Sequence, residues 1–228
     1  MRLIHPHSLA TTLDAVEEAF FLGRPLTAVQ RQQVARWIAV RQGLPGSYAG
    51  MFAPGRRDWD GIAVFTGESI TTRAGVSHIL GEEACRALIR LGGTQASIRN
   101  GLALATKGML NRLQDSGVSS KSVCGMYCCG ICSVAMWRHL MVGGLSEPQR
   151  RLVAGMRELK AHRDGRGRWR RFPFWYTLLA LGELDLPGAR TEMRYAAPGC
   201  ERYLRRARRN GKYTQRRRLV AERILGKC

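Results

Sequence analysis

An all-α fold built from helical hairpins is the expectation this sequence raises, and three observations carry it. No strand-like alternation of apolar and polar residues persists for more than a few positions. Apolar residues recur instead at three- and four-residue spacing in segment after segment. Those segments are opened by Ser or Thr and closed by Gly or Pro, the residues that cap and stop helices. Eight or nine helices are expected.

Each element is argued from its own residues. Residues 8–22 start at the capping Ser8 and carry Leu9, Leu13, Val16 and Phe20 on one face, ending at Gly23 and Pro25. Thr27 with Gln30 makes a capping box for a second helix through Val34, Trp37 and Ile38. Residues 43–67 hold too many glycines and prolines for a helix and read as a long loop folded onto the core by Phe52, Trp59 and Phe65. Asp58 and Asp60 flank Trp59 in this loop and are expected to be solvated, although such a pair can bind a cation or serve as acid and base. Residues 69–91 give a third helix and 94–114 a fourth, with Gly92 and Gly93 between them.

Residues 123–140 read as one continuous helix containing Cys124, Cys128, Cys129 and Cys132. Ser146 with Gln149 suggests a capping box for the helix at 147–162, with Pro148 in its first turn. An aromatic helix follows from Phe172 and is stopped by Pro187. The expected organisation is a helical-hairpin domain over 1–198 and a basic helical tail, 199–228, packed on it.

The chain has 228 residues and a formal charge of +20, which favours anionic partners. The absence of an apolar run of eighteen residues, and of a signal-like start, excludes an expected membrane span and points to a soluble cytoplasmic protein. Seven cysteines without such a start argue for reduced thiols, buried or metal-bound, over a disulfide framework.

The segment DGRGRW at 164–169, followed by FPFWYTLLAL at 172–181, resembles the repeat of the terpenoid cyclase and protein prenyltransferase families. The resemblance implies helical hairpins in a partial alpha-alpha toroid, with an apolar central cavity able to take an apolar small molecule. The acidic motifs of the cyclases and the zinc-ligand pattern of the prenyltransferases are not found here. Architecture is carried over and activity is not.

Three readings of the cysteines compete. As metal ligands, Cys124, Cys129 and Cys132 have C-x4-C-x2-C spacing with Cys128 as a further thiol, and soft thiolates suit zinc or an iron-sulfur cluster. Cys200 and His139 are candidate fourth ligands. As a nucleophile, CGICSVAM at 129–136 resembles the start of the active-site helix of papain-like cysteine peptidases, which implies a thiolate held at a helix N-terminus. The sequence lacks that family's later strand-borne His and upstream Gln. As packing, small cysteines beside Gly125, Gly130, Ser133 and Ala135 let neighbouring helices approach closely, and this reading leads.

In the tail, Arg205, Arg206, Arg208, Arg209, Arg216, Arg217 and Arg218 are candidates to follow a phosphate backbone, with Tyr203 and Tyr213 to stack on bases. The leading functional expectation is thus a binding or assembly protein engaging nucleic acid or an acidic protein through a basic C-terminal face. The alternatives are a metal-dependent enzyme or redox protein centred on Cys124–Cys132, or a cysteine hydrolase.

Overall fold

The computed structural model describes residues 2–115, 125–206 and 211–228. Among them lie nine α-helices and one two-stranded antiparallel sheet, so the fold is all-α in character as expected. The chain divides into two compact units: Met1–Val64 with Ser69–Ser122 and Val142–Ser146, and Phe65–Glu68 with Val123–Met141 and Glu147–Cys228.

In the first unit, α1 (Leu9–Phe21) begins at Ser8, whose Oγ accepts the Thr11 N–H at 2.9 Å. The clamp on this end was not visible in the sequence. Asp58 is buried, contrary to the expectation of a solvated carboxylate, and accepts from Ser8 Oγ at 2.6 Å, Leu9 N at 2.8 Å and Gly55 N at 2.6 Å. A carboxylate at a helix N-terminus meets unpaired N–H groups and the positive end of the helix dipole, so it satisfies donors that burial would otherwise leave costly. Asp58 is therefore a structural cap; Asp60 is exposed.

Helix α2 (Ala28–Ala39) carries the expected Thr27–Gln30 capping box. Helix α3 (Arg73–Leu91) is capped by Thr72 and ends in a left-handed Gly92; β1 (Ile62–Ala63) and β2 (Ser69–Ile70) precede it. Helix α4 (Ala96–Asp115) packs on α2 and α3, and α3 also covers α1. Buried Arg86 of α3 pairs with Glu17 of α1, and Arg90 reaches the same carboxylate at 3.0 Å. The core joins Leu9, Val16, Ile38, Met51, Phe52, Ile79 and Leu88.

In the second unit, α5 (Gly130–Met141) packs on α6 (Pro148–Ala161) and α7 (Phe174–Glu183). Helix α8 (Pro187–Arg206) packs on α6, α7 and α9 (Lys212–Leu225). The boundary expected after residue 198 falls inside α8, which continues through Pro198 because Ala189, Met193, Ala196 and Cys200 form one buried face. Glu68 caps α7, accepting from Trp175 N at 3.1 Å and Tyr176 N at 3.0 Å. An ion pair joins buried Arg138 of α5 to Glu183 of α7, with Nε–Oε2 at 3.0 Å and Nη2–Oε1 at 3.1 Å.

Two local expectations change. Helix α5 begins at Gly130, because residues 125–129 before it form a turn and not a helix; the expected helical residues 123 and 124 lie outside the described residues. Helix α6 starts at Pro148 after a left-handed Glu147, without the Ser146–Gln149 box, since proline already holds the backbone angle of a first helical residue.

Candidate thiol site

The turn from Gly125 to Cys129 is held from both ends. Gly125 lies on α6 so closely that a Cβ there would stand 1.9 Å from the Gly155 nitrogen, which is why both positions are glycine. The Gly125 carbonyl accepts the Trp137 indole N–H at 2.6 Å. At the other end Tyr127 N donates to Ser133 Oγ at 2.9 Å, and Ser133 Oγ donates to the Cys129 carbonyl at 2.7 Å. Ser133 N also reaches that carbonyl, at 2.9 Å. These bonds make Cys129 the residue from which α5 departs.

That position sets the chemistry of the thiols. Cys129 is exposed and Cys132, one turn later, is buried. The Cys129 sulfur accepts a hydrogen bond from the Cys132 thiol and further ones from the Cys132 and Ile131 backbone N–H groups and the Cys128 thiol. Outweighing the opposing effect of burial, they hold its pKa at about 5. Cys132 moves the other way: donating to Cys129 and buried beside it, it is kept protonated. Partial burial pushes the neighbouring Cys128 thiol up. Its Sγ lies within 4.8 Å of that of Cys132.

Residues 129–132 thus form a C-x-x-C dithiol at a helix N-terminus, with the pKa of the exposed outer thiol lowered and that of the buried inner one raised. In the sequence this pair was absorbed into the wider C-x4-C-x2-C pattern. The signal that isolates it is Ser133, which fastens the turn at Cys129 and separates it from a helical continuation.

The other expected site residues are distributed as follows. Cys124 lies outside the described residues. Cys128, Cys129 and Cys132 come together, and such a thiol cluster can hold a metal ion. His139 stands seven residues beyond Cys132 on α5, about 10 Å along the axis, too far to share one ion with it. Cys200 is buried on α8, its thiol pushed up to about 12 chiefly by burial and then by Cys228.

Arg205 and Arg206 are exposed at the end of α8, while Arg208 and Arg209 lie outside the described residues. Arg216 is buried, with its guanidinium 3.9 Å over the Phe65 ring and donating to the Phe65 carbonyl at 3.1 Å. Arg217 donates to the Thr66 carbonyl at 2.7 Å and Arg218 pairs with Glu222 at 2.9 Å. These three brace the 65–68 segment and their own helix.

No helix among the described residues is long and apolar enough to cross a membrane. Comparison with protein-family models, with curated proteins and with solved structures returns no match. The functional reading therefore rests on the residues themselves.

Proposed function

We propose that this chain is a thiol-disulfide redox protein in which Cys129 is the attacking sulfur and Cys132 the resolving one. The observation that carries the reading is the asymmetry of the pair: an exposed Cys129 held near pKa 5 by hydrogen bonds at the start of α5, and a buried, protonated Cys132 donating to it. At neutral pH nearly all of Cys129 is then thiolate, the nucleophilic form, whereas an ordinary thiol of pKa about 8.5 is only a few per cent ionised.

The chemistry is exchange with a disulfide R–S–S–R′. The Cys129 thiolate attacks one sulfur, the S–S bond breaks, a Cys129–S–S–R bond forms and R′S⁻ leaves, taking a proton from solvent. Cys132 then gives up its proton to solvent and attacks the Cys129 sulfur. The Cys129–Cys132 bond forms and RS⁻ leaves and is protonated. Two protein thiols are oxidised and one external disulfide is reduced; with an external dithiol the sequence runs in reverse. Gly130 and Ile131 separate the two sulfurs by one turn, which lets them meet with little change in the helix.

The experiment is trapping. Cys132→Ser should accumulate the mixed disulfide on Cys129, visible as a stable mass adduct, while Cys129→Ser should accumulate none. Wild-type chain that gains no Cys129–Cys132 disulfide under an excess of low-molecular-weight disulfide would overturn the reading.

A second reading has its own support in the proximity of the Cys128 and Cys132 sulfurs, two soft donors of the kind that suit zinc or an iron-sulfur cluster. Elemental analysis and a visible spectrum of anaerobically purified chain separate it from the first. The expected anion-binding face draws less support, because Arg216 is buried against Phe65, Arg217 donates to the Thr66 carbonyl and Arg218 pairs with Glu222.

A further inference from the structure

The backbone that closes on the dithiol belongs to an arginine-rich hairpin. Arg163 and Trp169 form an antiparallel bridge, and Arg170 N donates to the His162 carbonyl at 2.8 Å. Asp164 closes the turn, its carboxylate accepting from Arg166 N at 2.7 Å, Arg168 N at 3.0 Å and the Tyr195 hydroxyl at 3.0 Å. Glu192 of α8 anchors the base: Arg163 reaches it through Nε at 3.0 Å and Nη2 at 2.9 Å, and Trp169 Nε1 at 2.8 Å. A hairpin fixed at so many points presents its side chains without first having to be ordered.

The exit of this hairpin lies against Gly130. A Cβ on Gly130 would stand 2.0 Å from the Arg171 carbonyl oxygen and 3.0 Å from the Phe172 Cα, and Phe172 stacks on Trp137 of α5 at 5.5 Å. Arg171 holds a left-handed backbone at φ 67° to make this approach, a conformation that only surrounding contacts keep in a residue with a side chain. Arg166, Arg170 and Arg171 are exposed, and none pairs with an acidic side chain among the described residues. Arg168 differs, lying 4.8 Å over the Phe174 ring.

Building on the redox reading above, we propose that the disulfide exchanged at Cys129 is a small anionic one, bearing carboxylates that Arg170 and Arg171 engage beside the dithiol. Guanidinium is the fitting group because its fork matches a carboxylate with two parallel N–H bonds. A substrate whose sulfur meets Cys129 then has its charged groups met by the hairpin that touches Gly130. The exchange is the one given above, with the anionic thiol as the leaving group in each step. Arg170 and Arg171 act as specificity residues and take no part in bond making.

The test compares the oxidation rates of the reduced full chain by three low-molecular-weight disulfides that differ in charge: glutathione disulfide (net negative), hydroxyethyl disulfide (neutral) and cystamine (positive). The expected order is glutathione disulfide, hydroxyethyl disulfide, cystamine, with about tenfold or more between first and last after correction for their intrinsic reactivity. The Arg170→Gln, Arg171→Gln double variant should lose most of this preference. Arg205→Gln with Arg206→Gln removes equal charge from the end of α8 and should retain it. Iodoacetamide alkylation of Cys129 should be unchanged in both, which shows the dithiol intact. Equal rates for all three disulfides, or equal loss in both double variants, would overturn the anionic-substrate inference while leaving the redox reading standing. Failure of every disulfide to oxidise the wild-type pair would overturn both.

Discussion

Cys132 is buried in the first turn of α5, three residues after the exposed Cys129, and hydrogen bonding between the two thiols lowers the pKa of the outer one and raises that of the inner one.

The first consequence is a pH profile. Because the folded pKa of Cys129 is depressed, its thiolate is present from about pH 5 upward and is lost only as pH falls through that value. Alkylation of Cys129, followed by peptide mass spectrometry, should stay nearly level from pH 8 down to pH 6, where an ordinary thiol slows about tenfold per unit. By the same sign, the contribution of this thiolate to folding grows as pH rises from the folded value toward that of an unfolded thiol, and acid removes it.

Removing the donor should move that profile. In Cys132→Ala the largest of the bonds lowering the Cys129 pKa disappears, so the alkylation midpoint should rise, yet stay below an ordinary thiol because the Ile131 and residue-132 N–H groups remain. A midpoint left at its wild-type value would assign the depression to the helix terminus alone. Cys128→Ala should leave Cys129–Cys132 disulfide formation intact.

The close approach at Gly130 gives a stability prediction. Gly130→Ala drives a Cβ into the Arg171 carbonyl, 2.0 Å away, where the facing atom is backbone and cannot swing aside. A loss of about 1–3 kcal/mol is expected in denaturant unfolding, with slower disulfide exchange because the turn carrying Cys129 is displaced.

In the first unit, Asp58→Ala should cost about 2–3 kcal/mol, since the Leu9 and Gly55 N–H groups and the Ser8 hydroxyl would lose a buried acceptor. The loss should appear in thermal unfolding and leave Cys129 alkylation unchanged.

Much of the fold could be read from local signals. Ser8, and Thr27 with Gln30, announce helix starts because the bonds they make lie within one turn of chain. The failures have a common physical form. Asp58 caps a helix about fifty residues away, and nothing beside it in the sequence marks a buried carboxylate. Residues 123–140 carry helical spacing throughout, but the contact of Gly125 with α6 and the Ser133 bond to Cys129 stop the helix at Gly130. Three of the thiols, Cys128, Cys129 and Cys132, stand close together in the sequence as they do in the structure, while Cys124 lies outside the described residues. Their division of labour was not legible in the sequence, because it depends on where the helix begins. Arg216 read as a solvent-facing cation, whereas the Phe65 ring and carbonyl hold it inside.

The redox claim is tested most directly by equilibrating the chain in buffers of graded thiol-disulfide potential and mapping the product by mass spectrometry. A thiolate stabilised in the reduced form makes the corresponding disulfide more oxidising. The account predicts one two-electron transition, a bond between Cys129 and Cys132, and a midpoint above about −270 mV, the value for a strongly reducing C-x-x-C dithiol. A chain in which Cys129 and Cys132 stay unlinked at every potential would contradict it.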